Sequence, residues 1–157
     1  MSKKHYITNI YLDEKSVALR AAYVEHERNM AVYDILDENY FRPEDASNGP
    51  YDLHLSIEEN RLIFTIILEG GGTVDRFTFP LISFRRIVKD YFLVCESYFE
   101  AIKTAPPSRI EAMDMGRRSL HNEGAEFLRD RLKGKVEIDM RTARGLFTLI
   151  CALHIKA

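Results

Sequence analysis

The sequence is short of features that announce a function. It has only two cysteines, Cys95 and Cys151, each inside an apolar stretch. Neither belongs to a CxxC pair or to a Cys/His ligand spacing, which argues against a structural zinc site. They read as free, buried thiols in a reducing compartment. Long apolar runs are missing as well. The longest, Leu62–Leu68 and Leu146–Leu153, fall far short of the roughly 20 residues that a membrane helix needs. The first residues include Lys3 and Lys4 but no apolar core of signal-peptide length. An excess of one charge is absent too. The 22 Lys and Arg against 24 Asp and Glu leave a net −2, without the basic signature of a nucleic-acid binder. Gly-x-Ser-x-Gly, His-Glu-x-x-His and the Rossmann glycine pattern do not occur. These absences describe a cytoplasmic protein with no membrane, nucleic acid, metal or cofactor in its chemistry.

What is present is the material of a single domain over 1–157. The chain has 157 residues, and 46% of them are apolar. A chain of this length buries roughly 68–70% of its unfolded surface and needs no metal or disulfide to fold. The charges are unevenly placed. Residues 1–79 carry 8 basic and 14 acidic side chains, a net −6, and residues 80–157 carry 14 and 10, a net +4. Any anion-attracting surface belongs to the C-terminal half.

The periodicities predict an α+β fold: a small antiparallel sheet packed against an N-terminal helix and three C-terminal helices. Strands are expected near 6–12, 51–58, 61–69 and 74–79, and helices over 24–39, 81–103, 108–133 and 140–154. Strand is the alternative for 146–155, because Thr, Ile and Phe also suit strands. The clearest signal is a hairpin. Tyr51, Leu53, Leu55 and Ile57 alternate with polar residues, and so do Leu62, Phe64, Ile66 and Leu68. Folding the chain at Glu59-Asn60 sets Glu58 against Arg61 and every apolar residue against another, a register that a one-residue slip would destroy. Gly70-Gly71-Gly72 reads as the next turn, since no phosphate-loop Lys-Ser/Thr follows it. Ile63 and Ile67 make the second face of the middle strand partly apolar. That face calls for cover from the first helix or from a second copy of the chain, and in the second case the protein is a homodimer.

Chemistry concentrates between Glu111 and Gly124. On a helical projection Glu111, Asp114, Arg118, His121 and Asn122 share roughly 100° of arc, with Arg117 at its border. Such a ridge can bind an anion through Arg117, Arg118 and Asn122, with His121 as the catalytic acid–base if a reaction occurs. The same residues also form ordinary i, i+3 and i, i+4 ion pairs around Asp114. Arg85 and Arg86 form a second basic pair that can face the same partner, with Arg86 also four residues from Asp90. A nucleophile is missing from the ridge: Ser119 lies about 160° around the helix from His121. The remaining histidines have no partner at metal-ligand spacing. The best reading is a non-enzymatic binding or adaptor module for an anionic small molecule or a protein. The alternative is a hydrolase- or transferase-like enzyme working through His121.

The runs Phe84-Arg-Arg-Ile-Val-Lys-Asp-Tyr-Phe92, Asp114-Met-Gly-Arg-Arg-Ser-Leu-His-Asn-Glu-Gly124 and Thr142-Ala-Arg-Gly-Leu-Phe-Thr-Leu-Ile-Cys151 resemble the uncharacterised protein family 0262 of alphaproteobacteria. Val24-Glu-His-Glu-Arg28 and Gly49-Pro-Tyr51 fit the same family. The resemblance covers most of the chain and implies a bacterial cytoplasmic protein. It carries over no activity, ligand or catalytic residue.

Overall fold

The computed structural model describes residues 4–13, 22–44 and 48–154. Its elements run β1 (Ile7–Leu12), α1 (Ala22–Asp37), β2 (Phe41–Pro43), β3 (Tyr51–Glu58), β4 (Arg61–Leu68), β5 (Thr73–Pro80), α2 (Ile82–Thr104), α3 (Pro107–Arg131), β6 (Val136–Ile138) and α4 (Met140–His154). This is the expected α+β class, with the expected helices. Residues 146–154 are helical, so the strand alternative there is not realised.

The β3–β4 hairpin has the register read from the alternation. Glu58 faces Arg61, Ile57 faces Leu62, Leu55 faces Phe64, Leu53 faces Ile66 and Tyr51 faces Leu68. Glu59 and Asn60 hold φ of 50° and 62°, the left-handed pair that a tight two-residue hairpin turn requires. The triple glycine also serves as a turn, with φ of 95°, 113° and 96°.

The sheet differs from the expectation in one strand. Its order is β1-β3-β4-β5, and β1 runs parallel to β3, so the sheet is mixed rather than antiparallel throughout. A parallel pair needs a crossover of a dozen or more residues, and α1 lies in that connection. A separate two-stranded ribbon pairs β2 with β6 and ties the middle of the chain to the start of α4.

The apolar sheet face and the helices share one core. Phe64 stacks on Phe77 with centroids 5.2 Å apart. Phe79, Phe84 and Phe127 carry edge-to-face contacts from the sheet through α2 to α3. α4 is buried along most of its length, from Thr142 and Ala143 to His154. It begins where the Thr142 N–H donates to the side chain of Asp139, 2.9 Å, an N-terminal cap. α1 lies along α4, not on the second sheet face as the sequence suggested. Its Ile35 fits where a Cβ at Gly145 would come within 2.5 Å. Its Leu36, beside Ile35 in the sequence, is exposed. In α3, Gly124 meets Phe147, whereas nothing lies within 4 Å of where a Gly116 Cβ would sit. Only the first of these glycines permits a close helix approach.

Candidate functional site

Two close helix contacts frame a trough with α4 as its floor. Both α1 and α3 run antiparallel to α4. Arg141 reaches Asp37 and Glu38, and Gly145 meets Ile35 on one side. On the other side Arg144 reaches Asn122, and Thr148 reaches His121. The resulting cleft is about 600 Å³. Its floor carries Arg141, Arg144, Gly145 and Thr148 from α4. One wall is His26, Glu27, Met30, Ala31 and Asp34 of α1, and the other is Arg117, Arg118, His121 and Asn122 of α3, with Tyr91 of α2 between them.

Four residues of the ridge read from the sequence, Arg117, Arg118, His121 and Asn122, therefore share one concave surface. Asp114 stands behind it as a brace. Its two carboxylate oxygens take one arginine each: Arg117 through Nε at 3.1 Å and Nη2 at 2.6 Å, Arg118 through Nε at 2.9 Å and Nη2 at 2.6 Å. Hydrogen bonds from Arg117, and then from Arg118, hold the Asp114 carboxyl below the usual carboxylate range. Arg117 is further pinned over the Tyr98 ring, 5.1 Å from its centroid. Arg118 is 70% exposed, and its Nη1 makes no bond to Asp114.

Arg85 and Arg86 are not brought to this surface. Both are exposed on α2, and neither lines the cleft. Arg85 instead lies near His154, whose imidazole pKa is depressed by burial first and by the Arg85 charge second. No ion pair joins Arg86 to Asp90 among the described residues, although both spacing and charge allow one.

His121 is held between aromatic rings and its hydrogen-bond partner. Its ring packs 5.3 Å from Tyr91 and 5.6 Å from Phe147. Nε2 lies 2.7 Å from Thr148 Oγ1. The single Thr148 hydroxyl proton goes to the Arg144 carbonyl oxygen at 3.2 Å, so the oxygen accepts from His121 Nε2–H. Nδ1 then carries a lone pair. Burial, then the charges of Arg117 and Arg144, push the imidazole down to about 4. At neutral pH His121 is uncharged, donating at Nε2 to Thr148 and able to accept at Nδ1. Tyr91, buried below it, donates its hydroxyl to Glu27 Oε1 at 3.0 Å. Burial, then the Glu27 charge, holds that phenol protonated.

The α1 and α4 contributions escape a reading along the chain, but one signal for them exists. Apart from the buried Thr142 and His154, the polar residues of α4 are Arg141, Arg144 and Thr148. At i, i+3 and i+7 these fall within about 60° of arc, a polar stripe on an otherwise buried helix. The two thiols are free and buried as expected, and neither lines the cleft. No cluster of three or more His, Cys, Asp or Glu able to hold a metal exists among the described residues. No helix among them is long and apolar enough to cross a membrane.

The resemblance noted in the sequence extends over nearly the whole chain. The family described as an uncharacterised protein family, UPF0262, matches residues 4–156. A UPF0262 protein from Paramagnetospirillum magneticum is 54% identical over 156 residues, covering 99% of each chain. One from Phenylobacterium zucineum is 51% identical over 152 residues, 97% of this chain and 94% of its own. One from Caulobacter vibrioides is 53% identical over 150 residues, 96% and 93% of the two chains. No solved structure matches.

Proposed function

This chain belongs to the uncharacterised protein family UPF0262, and we propose that it is a cytoplasmic, non-enzymatic binding module that takes a small anion into the cleft between α1, α3 and α4. The observation that carries this reading is Arg144. Among the described residues it has no carboxylate partner, and its Nε donates to Asn122 Oδ1 at 2.9 Å. That bond orients the guanidinium and leaves both terminal nitrogens for a ligand. It also fixes Asn122 with its Nδ2 amide as a further donor. Arg118 adds Nη1. A planar guanidinium already held at one edge suits bidentate capture of a carboxylate or phosphate. The neighbouring Arg141 lacks this freedom, because it is paired with Glu38 at 2.8 Å and Asp37 at 3.3 Å.

The volume of the cleft lies within the roughly 300–1,000 Å³ of small-molecule sites, which favours a small ligand over a protein. His121 supports binding over catalysis. A histidine held to about 4 is uncharged at neutral pH, so it lacks the second, acidic proton of an imidazolium while its one N–H is engaged by Thr148, and its Nδ1 lone pair suits a hydroxyl or amine hydrogen of the ligand.

A thermal-shift scan tests the reading, with inorganic phosphate and a series of n-alkanoates as probes. A probe at 100 times its dissociation constant adds about 2.7 kcal/mol, or roughly 5–11 °C in a domain of this size. Arg144→Ala is expected to abolish that shift while leaving the melting temperature of the free protein within about 1–2 °C. A shift preserved in Arg144→Ala would contradict the reading. So would a loss of several degrees without any probe, which would make Arg144 a structural residue.

A further inference from the structure

The two walls of the cleft carry opposite charge. α1 presents Glu27 and Asp34, seven residues apart and so on one helix face, while α3 and α4 present Arg118 and Arg144. The cleft is where the acidic N-terminal half of the sequence meets its basic C-terminal half. Opposite charges lining one surface ordinarily pair, yet Asp34 and Arg144 do not, while Arg118 is held by Asp114 and Glu27 by the Tyr91 hydroxyl. Asp34 makes no ion pair or side-chain hydrogen bond among the described residues. Arg144 meets only an amide. Arg141, on the same stretch of α4, is occupied by Asp37 and Glu38 and does not neutralise Asp34. Between the poles the surface is small and uncharged: Ala31, Gly145 and the half-exposed Met30.

We infer that the ligand is zwitterionic, a short molecule whose acidic group sits on Arg144 and Asn122 and whose ammonium group faces Asp34. This deepens the anion-binding reading and rests on it. An anion alone would satisfy one wall and leave Asp34 facing a negative charge. A cation alone would do the reverse at Arg144. A molecule with both groups complements both poles and lays its apolar chain over Ala31 and Gly145. The uncharged Nδ1 of His121 suits such a ligand better than an imidazolium, which would repel the ammonium.

The test compares ω-amino acids, from glycine to 6-aminohexanoate, with n-alkanoates of the same chain length, by calorimetry at pH 7.5. At one or two lengths the amino acid should bind about fivefold tighter than its alkanoate, the size of one partly exposed ion pair. Asp34→Asn should remove that preference without weakening alkanoate binding, which loses a like-charge neighbour and tightens slightly. Equal affinity of the two series, or a preference that survives Asp34→Asn, overturns the inference. If both series fail while inorganic phosphate still binds, the zwitterion is wrong and the anion site stands. If phosphate fails as well, the anion site falls with it.

Discussion

Gly124→Ala should destabilise the protein, while Gly116→Ala, two turns earlier on the same helix, should stabilise it. In a helix interior Gly→Ala ordinarily adds up to about 1 kcal/mol, because alanine has less backbone freedom to lose. Gly116 meets that condition, with nothing within 4 Å of its Cβ position to resist a methyl group. At Gly124 a Cβ would sit 2.2 Å from Phe147 Cζ and 2.3 Å from Cε2. The Phe147 ring is wholly buried, with Tyr91 and His121 against it, so it has no solvent to retreat into. Overpacking of this kind costs about 2–3 kcal/mol, or roughly 4–12 °C for a chain of this length. Thermal melts of the two variants give the answer. Adding Phe147→Leu to Gly124→Ala should cost less than the two single changes together, because the shorter side chain vacates the contact. A Gly124→Ala protein that melts with or above the wild type would mean that α3 and α4 do not approach this closely, and the floor and wall of the cleft would lose their stated geometry.

A second large effect is expected in acid. His121 and His154 are both held to about 4, against an ordinary 6.5. Burial is the main cause in each. The charges of Arg117 and Arg144 add to it at His121, and that of Arg85 at His154. Glu27 and Asp34 on the α1 wall are the carboxylates facing the cleft that His121 lines. His154 makes no hydrogen bond at either ring nitrogen among the described residues, so nothing compensates a charge there. With the folded values lying below the unfolded ones, the unfolded chain takes the protons first. Stability is therefore whole above about 6.5 and is lost as the pH falls from there toward 4. At pH 5 the loss is at most about 2 kcal/mol for His154, and less for His121, which water reaches. Melting temperatures at pH 7.5 and pH 5 should differ by several degrees in the wild type and by clearly less in His154→Leu. An unchanged pH slope in that variant would show that His154 takes its proton without cost.

Some of this architecture is legible in the sequence. The β3–β4 hairpin is readable to the residue, because a period of two, a charge pair at the turn and a positive-φ asparagine all agree. The α3 ridge is readable for a similar local reason, since Asp114, Arg117, Arg118, His121 and Asn122 lie within two to three turns of one helix. Nothing local distinguishes a parallel first strand from an antiparallel one. The direction of β1 depends on the crossover through α1, and so it escapes. So do the opposing walls of the cleft. Asp34 and Arg144 are over a hundred residues apart, and the packing of Ile35 against Gly145 and the Arg141 bridge to Asp37 and Glu38 bring their helices together. Charge alone groups Arg85 and Arg86 with the ridge. Their place on an exposed face of α2 shows that like charges in a sequence need not share a surface.

The central claim is that Arg144 and Asn122 hold a small anion in the cleft. It is met most directly by titrating inorganic phosphate into ¹⁵N-labelled protein and following the backbone amides and arginine side chains by NMR. Saturable shifts confined to Arg118, Asn122, Arg144 and their neighbours along the trough, lost in Arg144→Ala, are the result expected. Shifts that map elsewhere, grow without saturating, or persist in Arg144→Ala would contradict it.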